Sequence, residues 1–182
     1  MPQAASLLPQ TAPDCATPRV VLAYNPVAGG FSAGLLERLR GAFAAAGYVV
    51  EATGERTIEP ALAERTDVVC IVGGDGTART IVEHNRKLAG RAQICIYPAG
   101  TVNLIARERR SPPDPAAFVA HLAPARTNSP NRHHTGRITL ADGQSRAFLC
   151  CASVGPDAEV VARVSPALKR RLGRWAYVAA MA

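Results

Sequence analysis

The chain has 182 residues, of which 48% are hydrophobic, and its formal net charge is +7 at pH 7. This length accommodates one complete domain, or one domain and part of a second, and the hydrophobic content supports a buried core, which excludes a disordered or fibrous protein. Only 5% of the residues are aromatic, and none is interleaved with a basic run before Trp175, which excludes nucleic acid as the expected partner. The excess of arginine is compatible with binding to an anionic membrane surface or to a nucleotide. The alternative is an ordinary solvated basic surface without an anionic partner.

The sequence contains neither a secretory signal nor a run of about 18 apolar residues, so we expect a cytoplasmic protein without a transmembrane segment. Its five cysteines lack zinc-type spacing, and four of them lie in apolar, strand-like runs. We therefore expect small buried hydrophobic side chains in a reducing compartment rather than metal ligands. The cysteines are Cys15, Cys70, Cys95, Cys150 and Cys151. No pattern identifies metal ligands or an oligomeric state.

The predicted elements begin after a tail, residues 1–18, which contains four prolines and no periodicity and is expected to be disordered. From Arg19 onwards, strand patterns alternate with helical patterns. The predicted strands cover residues 20–24, 48–52, 68–72 and 94–97, and the predicted helices cover residues 33–46, 59–65, 78–88 and 116–122. This alternation predicts an α/β domain over residues 19–130, with a parallel sheet whose site lies at the carboxyl ends of its strands.

The pattern changes beyond a linker near residue 130. Residues 137–140 and 146–153 flank an Asp-Gly turn, which predicts a hairpin, and residues 166–181 have a helical pattern. We expect residues 131–182 to be the start of a β-rich C-terminal domain. Because about fifty residues are few for an independent core, we expect a truncated protein or one whose second domain is incomplete.

The most informative stretch is the glycine turn at residues 73–77, directly behind the apolar run 68–72. Glycines let the backbone approach a ligand closely, and the N–H groups at the start of the following helix suit a phosphate. Asp75 is the one acid in this turn, and it either takes part in phosphoryl transfer or caps the helix that follows. A second glycine turn, residues 98–107, also leaves a strand and enters a helix, so both turns fall on one edge of the sheet.

Four motifs in order resemble the diacylglycerol kinase catalytic-domain family, which includes bacterial lipid kinases and sphingosine kinases. They are Asn25-Pro26 with Gly29 and Gly30; Gly73-Gly74-Asp75-Gly76-Thr77; Pro98-x-Gly100-Thr101-x-Asn103-x-x-Ala106-Arg107; and Gly155-Pro156-Asp157-Ala158 with the later segment Lys169 to Tyr177. The resemblance runs from about Arg19 to Ala180. It implies a Rossmann-like N-terminal domain and a β-rich C-terminal domain with ATP bound between them.

By this resemblance the protein is an ATP- and Mg²⁺-dependent lipid kinase that transfers the γ-phosphoryl group to the hydroxyl of a diacylglycerol or sphingoid lipid, at the inner membrane surface. Asp75 would be the base that accepts the hydroxyl proton, or the carboxylate that orients the hydroxyl and Mg²⁺. Asp157 would contact the polar head of the lipid, or it caps a helix. The residues expected to hold ATP are Asn25, Gly29, Gly30, Gly73, Gly74, Gly76, Thr77, Gly100, Thr101 and Asn103.

Two departures from the family pattern bear on activity. Arg79 and Thr80 stand where relatives often carry Asn-Glu. The resemblance also implies a longer C-terminal domain that supplies acidic residues for Mg²⁺ and catalysis, so a chain that ended at Ala182 would be a remnant without activity. A kinase for a soluble substrate is another alternative, because NAD kinases and phosphofructokinases share the Gly-Gly-Asp-Gly turn. The Thr-Pro-x-Gly-Ser/Thr segment of NAD kinases is not found.

Overall fold

The computed structural model describes residues 17–88, 90–122, 133–153, 155–164 and Gly173. The predictions for the N-terminal tail, the linker near residue 130, the helix at 166–181 and Cys15 lie outside this part of the chain.

A four-stranded parallel sheet forms the centre of the fold. Its strands are β1 (Arg19–Tyr24), β2 (Val49–Thr53), β3 (Val68–Gly73) and β4 (Gln93–Pro98), in the spatial order β2-β1-β3-β4. Every residue of β3 is buried, as expected for a mostly β-branched strand that is covered on both faces of a parallel sheet. The α/β fold predicted from the alternating pattern is therefore confirmed.

Helices cover both faces of this sheet, so it has two apolar cores. One core joins β1 and β3 to Leu39 and Phe43 of the first helix, and the other contains Ala78 and Ile81 of the third. The helices are α1 (Ala33–Ala45), α2 (Pro60–Glu64), α3 (Asp75–His84), α4 (Leu104–Glu108), α5 (Pro115–Leu122) and α6 (Pro156–Arg163), with one 3-10 turn at Arg86–Leu88.

A separate antiparallel hairpin consists of β5 (Gly136–Thr139) and β6 (Ser145–Phe148). It follows the predicted Asp-Gly turn, although β6 ends earlier than the predicted residue 153. Leu149, directly after β6, packs against the core cluster that contains Ala78 and Ile81 of α3. The chain beyond the hairpin is thereby held beside α3.

Two helices differ from the sequence prediction. Helix α3 begins at Asp75 rather than at residue 78, because Gly74 adopts extended backbone geometry at the N-cap and the acidic Asp75 is favourable in a first turn. It ends at His84, where the Asn85 side chain donates to the Ile81 carbonyl at 2.7 Å and accepts from the Ile58 amide at 2.8 Å. Helix α6 was not predicted, although Gly155 followed by Pro156 is a helix-start signal.

Within the described residues, none of the helices combines the length and the apolar character needed to cross a bilayer.

Replacement of Leu39, which is fully buried against the sheet, tests the first core. We expect Leu39→Ala to lower the free energy of unfolding by about 2–5 kcal/mol, because it removes buried methyl groups and leaves a cavity. Val27→Ala is the control, since Val27 is 80% exposed and the change should stay within about 0.5 kcal/mol. Equal losses for both variants in urea denaturation would contradict the assigned packing.

Candidate functional site

Three loops meet at the carboxyl ends of neighbouring strands. They are residues 25–32 between β1 and α1, Gly74 between β3 and α3, and residues 99–103 between β4 and α4. Because β1, β3 and β4 are parallel and adjacent, their loops lie side by side at one edge of the sheet. The sequence placed the glycine turns on this edge, and the structure brings them together there.

The two glycine turns touch through their backbones. A side chain at Gly100 would place its Cβ 2.4 Å from the Gly74 Cα, and one at Gly74 would lie 3.1 Å from the Gly100 Cα. No real Cβ atom tolerates the first of these distances, so the contact requires glycine at position 100. The glycines therefore hold the two turns against each other, a role that the sequence did not assign to them.

The side chain of Asn103 closes the second turn on itself. Its Oδ1 accepts from the Gly100 amide at 2.9 Å, and its Nδ2 donates to the Gly100 carbonyl at 2.8 Å. Asn103 has left-handed backbone geometry, with φ 56°, which asparagine tolerates better than most residues. The primary role of Asn103 in the structure is thus to shape the loop just before α4.

Asp75 bridges the two turns. Its Oδ2 accepts from the Leu104 amide at 2.9 Å and its Oδ1 accepts from the Ile105 amide at 3.0 Å. The sequence left open that Asp75 caps the helix that follows it. Asp75 does cap a helix, but that helix is α4, because Asp75 itself lies in the first turn of α3. Each carboxylate oxygen retains a further lone pair, so the group can still accept from a ligand or bind a cation.

The first loop is tied to α3 by Asn25. Its Nδ2 donates to the Thr77 hydroxyl oxygen at 3.0 Å, while its Oδ1 accepts from the Val27 amide at 3.1 Å. Tyr24 and Phe31, at the two ends of the same loop, stack with their ring centroids 5.1 Å apart, and this contact holds the ends of the loop together. Asn25 and Thr77 therefore lie together, as members of one site should.

Two residues expected to hold phosphate, Gly30 and Gly100, have backbone amides that are already engaged in hydrogen bonds within the loops. Gly30 donates to the Ala99 carbonyl at 3.0 Å, and Ala99 donates to the Gly73 carbonyl at 3.1 Å. Gly100 donates to Asn103, as described above. Gly30, Gly73 and Gly100 thus form a framework that connects all three loops.

Three helices, α1, α3 and α4, begin directly after the three loops, and the N-terminus of α3 differs from those of the other two. Ser32 caps α1 through its side chain, and Asp75 caps α4, whereas no side chain in the described part of the protein caps α3. Within the described residues, a Cβ at Gly76 or at Gly29 would meet nothing within 4 Å. Glycine inside a helix costs about 1 kcal/mol relative to alanine, and no neighbour in the described fold requires it at position 76. The open, uncapped start of α3 is therefore the most suitable place for an anion.

The exposed Thr101 lies in the same loop as Gly100. Asp157 lies in the first turn of α6, but its side chain, like the basic segment at 168–172 and 174–177, falls outside the described part of the chain. Within that part, no group of three or more His, Cys, Asp or Glu side chains could hold a metal ion. The three loops themselves contain no acidic residue, and Asp75, which follows Gly74 as the first residue of α3, supplies the carboxylate beside them.

The four cysteines in the described part of the chain form two pairs. Cys70 and Cys95 are buried partners on β3 and β4, as predicted, and burial raises the pKa of Cys70 well above its usual value. Cys150 and Cys151 are exposed, so the prediction that they are buried was wrong, because the strand ends at Phe148. The pKa of Cys150 is raised to about 11, first by partial desolvation of its thiol, then by Cys151, and then by the negative charge of Asp75. Sequence reasoning had not connected this pair with the site.

The chain belongs to the diacylglycerol kinase catalytic domain family, whose model matches residues 19–131. It is 36% identical over 124 residues to a "Probable lipid kinase YegS-like" protein of Pseudomonas aeruginosa, covering 68% of this chain and 38% of that protein. It is 29% identical over 167 residues to a diacylglycerol kinase of Staphylococcus carnosus, covering 87% of this chain and 52% of that enzyme. The chain thus spans only 38–52% of the length of these relatives.

A crystal structure of a Bacillus anthracis protein, provisionally assigned as a diacylglycerol kinase, has the same fold. It aligns with 88% of this chain and 55% of its own length, with a TM-score of 0.51 and 23% sequence identity. The family predicted from the ordered motifs is confirmed, and the chain is a member of a lipid kinase family.

The backbone contact between the glycine turns can be tested by substitution. We expect Gly100→Ala to cost about 1–3 kcal/mol in unfolding free energy, because its Cβ would overlap the Gly74 backbone and the Asn103 amide. Gly29→Ala is the matched control, since its Cβ would enter open space and stability should change by less than about 0.5 kcal/mol. Thermal unfolding of both variants measures the difference, and an unchanged Gly100→Ala protein would contradict the contact.

Proposed function

We propose that the protein is an ATP-dependent lipid kinase, which transfers the γ-phosphoryl group of ATP to the hydroxyl of a diacylglycerol or sphingoid lipid. Family membership supports the kinase class. The observation that carries the proposal is the uncapped N-terminus of α3, with open space above Gly76, directly beside the Asp75 carboxylate. Phosphoryl transfer depends on such positioning of phosphates and charge.

The phosphates of ATP would rest on the first amides of α3. Gly76 lets them approach the helix backbone, and Gly29 leaves room from the opposite loop. Asn25 and Thr77 are hydrogen-bonded to each other at this point, so the remaining N–H of the Asn25 amide and the Thr77 hydroxyl can turn towards the nucleotide. Gly30, Gly73, Gly74, Gly100 and Asn103 would act by holding the loops in place, and the exposed Thr101 is a further candidate contact.

Asp75 would combine two roles. Its hydrogen bonds to the Leu104 and Ile105 amides fix the orientation of the carboxylate. The remaining lone pairs would accept the proton of the lipid hydroxyl, or orient that hydroxyl, for attack on the phosphoryl group. A carboxylate held in one orientation by two backbone donors is suited to this positioning.

Mg²⁺ fits the same place. Asp75 brings a negative charge into the turn where phosphates would bind, so a cation is needed between them, and Mg²⁺ commonly binds through one carboxylate together with phosphate oxygens. When bound, Mg²⁺ would neutralise charge on the transferring phosphoryl group. Asp75 does not belong to a group of three or more His, Cys, Asp or Glu side chains among the described residues.

The lipid would approach from the C-terminal side. We propose that residues 19–130 form the nucleotide-binding domain and that residues 131–182 begin a lipid-binding domain in which Asp157 contacts the polar head of the lipid. The protein would act at the inner surface of the membrane, to which it would bind peripherally from the cytoplasm.

A labelling assay tests the function as a whole. The full-length product of the gene that encodes this chain is incubated with γ-labelled ATP, Mg²⁺ and vesicles that contain diacylglycerol or a sphingoid base, with NAD as a soluble acceptor in a parallel reaction. We expect label in lipid alone. Labelling of NAD instead, or ATP binding without labelling of any lipid acceptor, would overturn the lipid kinase proposal.

Gly76→Ala separates stability from nucleotide binding. Alanine should raise the unfolding free energy by up to about 1 kcal/mol, because it is the better residue inside a helix and meets no neighbour. The same methyl group would obstruct the phosphates, so we expect ATP affinity in isothermal titration to fall by about tenfold or more. A stabilised protein with unchanged ATP affinity would contradict the assigned phosphate position.

Asp75→Asn tests the carboxylate. The amide group offers one acceptor in place of two, so unfolding free energy should fall by about 1–2 kcal/mol, and lipid labelling should fall about a hundredfold or more. Asp114→Asn is the matched control, because Asp114 also accepts a helix-start amide, from Ala117 at 2.9 Å in α5. Asparagine caps nearly as well as aspartate there, so labelling should be unchanged. Full turnover by Asp75→Asn would refute the catalytic role.

A further inference from the structure

The two thiols of Cys150 and Cys151 form a pair on the surface. Their sulfur atoms lie 3.9 Å apart, both residues are exposed, and both cysteines are free. Side chains of consecutive residues in a strand point to opposite faces, so this proximity requires a different backbone. The chain bends at residues 149 and 150, immediately after β6, and the bend brings both thiols to one side.

The bend is held from two directions. Leu149 packs into the core beside α3, and its carbonyl accepts a hydrogen bond from Nε2 of His133. The position of the two thiols is therefore set by the fold on their N-terminal side. Asp75 lies close enough to act on the Cys150 thiol electrostatically.

The geometry disfavours a disulfide between these residues. Consecutive Cα atoms across a trans peptide are about 3.8 Å apart, whereas disulfides usually join Cα atoms separated by about 4.4–6.8 Å. No cis peptide occurs in the described residues. A bridging atom between the sulfurs avoids this difficulty, because two thiolates bound to one tetrahedral ion at about 2.3 Å have their sulfurs roughly 3.8 Å apart.

From this spacing we propose that Cys150 and Cys151 together form a binding site for one soft, thiolate-preferring metal ion of the zinc and cadmium type. Binding converts the two thiols to thiolates and releases two protons to solvent as two metal–sulfur bonds form, with no change in oxidation state. No third His, Cys, Asp or Glu ligand joins them within the described residues. The remaining coordination positions are filled by water or by an exogenous ligand.

This site differs in chemistry from the proposed Mg²⁺ position. Thiolates select soft ions, whereas Mg²⁺ prefers oxygen ligands. The negative charge of Asp75 nearby favours the approach of a cation without requiring Asp75 as a ligand. The inference therefore stands on the cysteine pair alone and does not depend on the kinase activity.

Cadmium titration provides the test. The reduced, metal-free full chain is titrated with Cd²⁺ while the thiolate-to-metal charge-transfer absorption is followed in the ultraviolet, with an excess of Mg²⁺ present. We expect saturation at about one equivalent per chain. Cys150→Ser and Cys151→Ser should each weaken binding by about tenfold or more, and the double variant should lose the absorption. Cys15→Ser is the control that keeps it.

Four outcomes would overturn the inference. The first is a wild-type chain without charge-transfer absorption. The second is an absorption that the double variant retains, which would assign binding to other cysteines. The third is saturation at half an equivalent with a dimer in size-exclusion chromatography, since the ion would then join two chains. Displacement of Cd²⁺ by Mg²⁺ would likewise place the ion at oxygen ligands. Circular dichroism of each variant establishes that its fold is intact.

Discussion

The contact between the backbones of Gly74 and Gly100 is the constraint on which the site depends. It sets the distance between the loops that follow β3 and β4, and both flanking hydrogen-bond systems require that distance. Asp75 can reach the first amides of α4 only because the turns are this close. Asn103 can fold back on Gly100 only if that residue has no side chain. The close approach of these two backbone segments thus determines the orientation of the Asp75 carboxylate.

The arrangement divides the polar groups of the loops into two sets. The amides of Gly30 and Gly100 and both ends of the Asn103 side chain are satisfied inside the protein, which makes the edge of the sheet rigid. The start of α3 keeps its donors, because no side chain among the described residues caps it. We propose that these loops around the start of α3 form a preorganised anion position, which would need little rearrangement when a ligand binds.

Much of the fold could be predicted from the sequence, since buried strands and amphipathic helices leave strong periodic signals. The apolar run in β3 and the glycine turn behind it identified the edge of the sheet where the loops meet. The partners of Asp75 could not be predicted, because it and Leu104 are 29 residues apart and the bond depends on how closely two turns approach. The exposure of Cys150 was missed for a related reason: an apolar run does not reveal where a strand stops pairing.

The left-handed backbone of Asn103 restricts how this family member can change during evolution. Glycine would accept the same φ but would remove both hydrogen bonds to Gly100, and aspartate would keep the acceptor while losing the donor. Most other residues would resist the conformation itself. Asparagine alone combines tolerance of this φ with both the acceptor and the donor that bind Gly100. Position 103 therefore has almost no neutral substitutions available, and changes in the neighbouring loop must remain compatible with asparagine there.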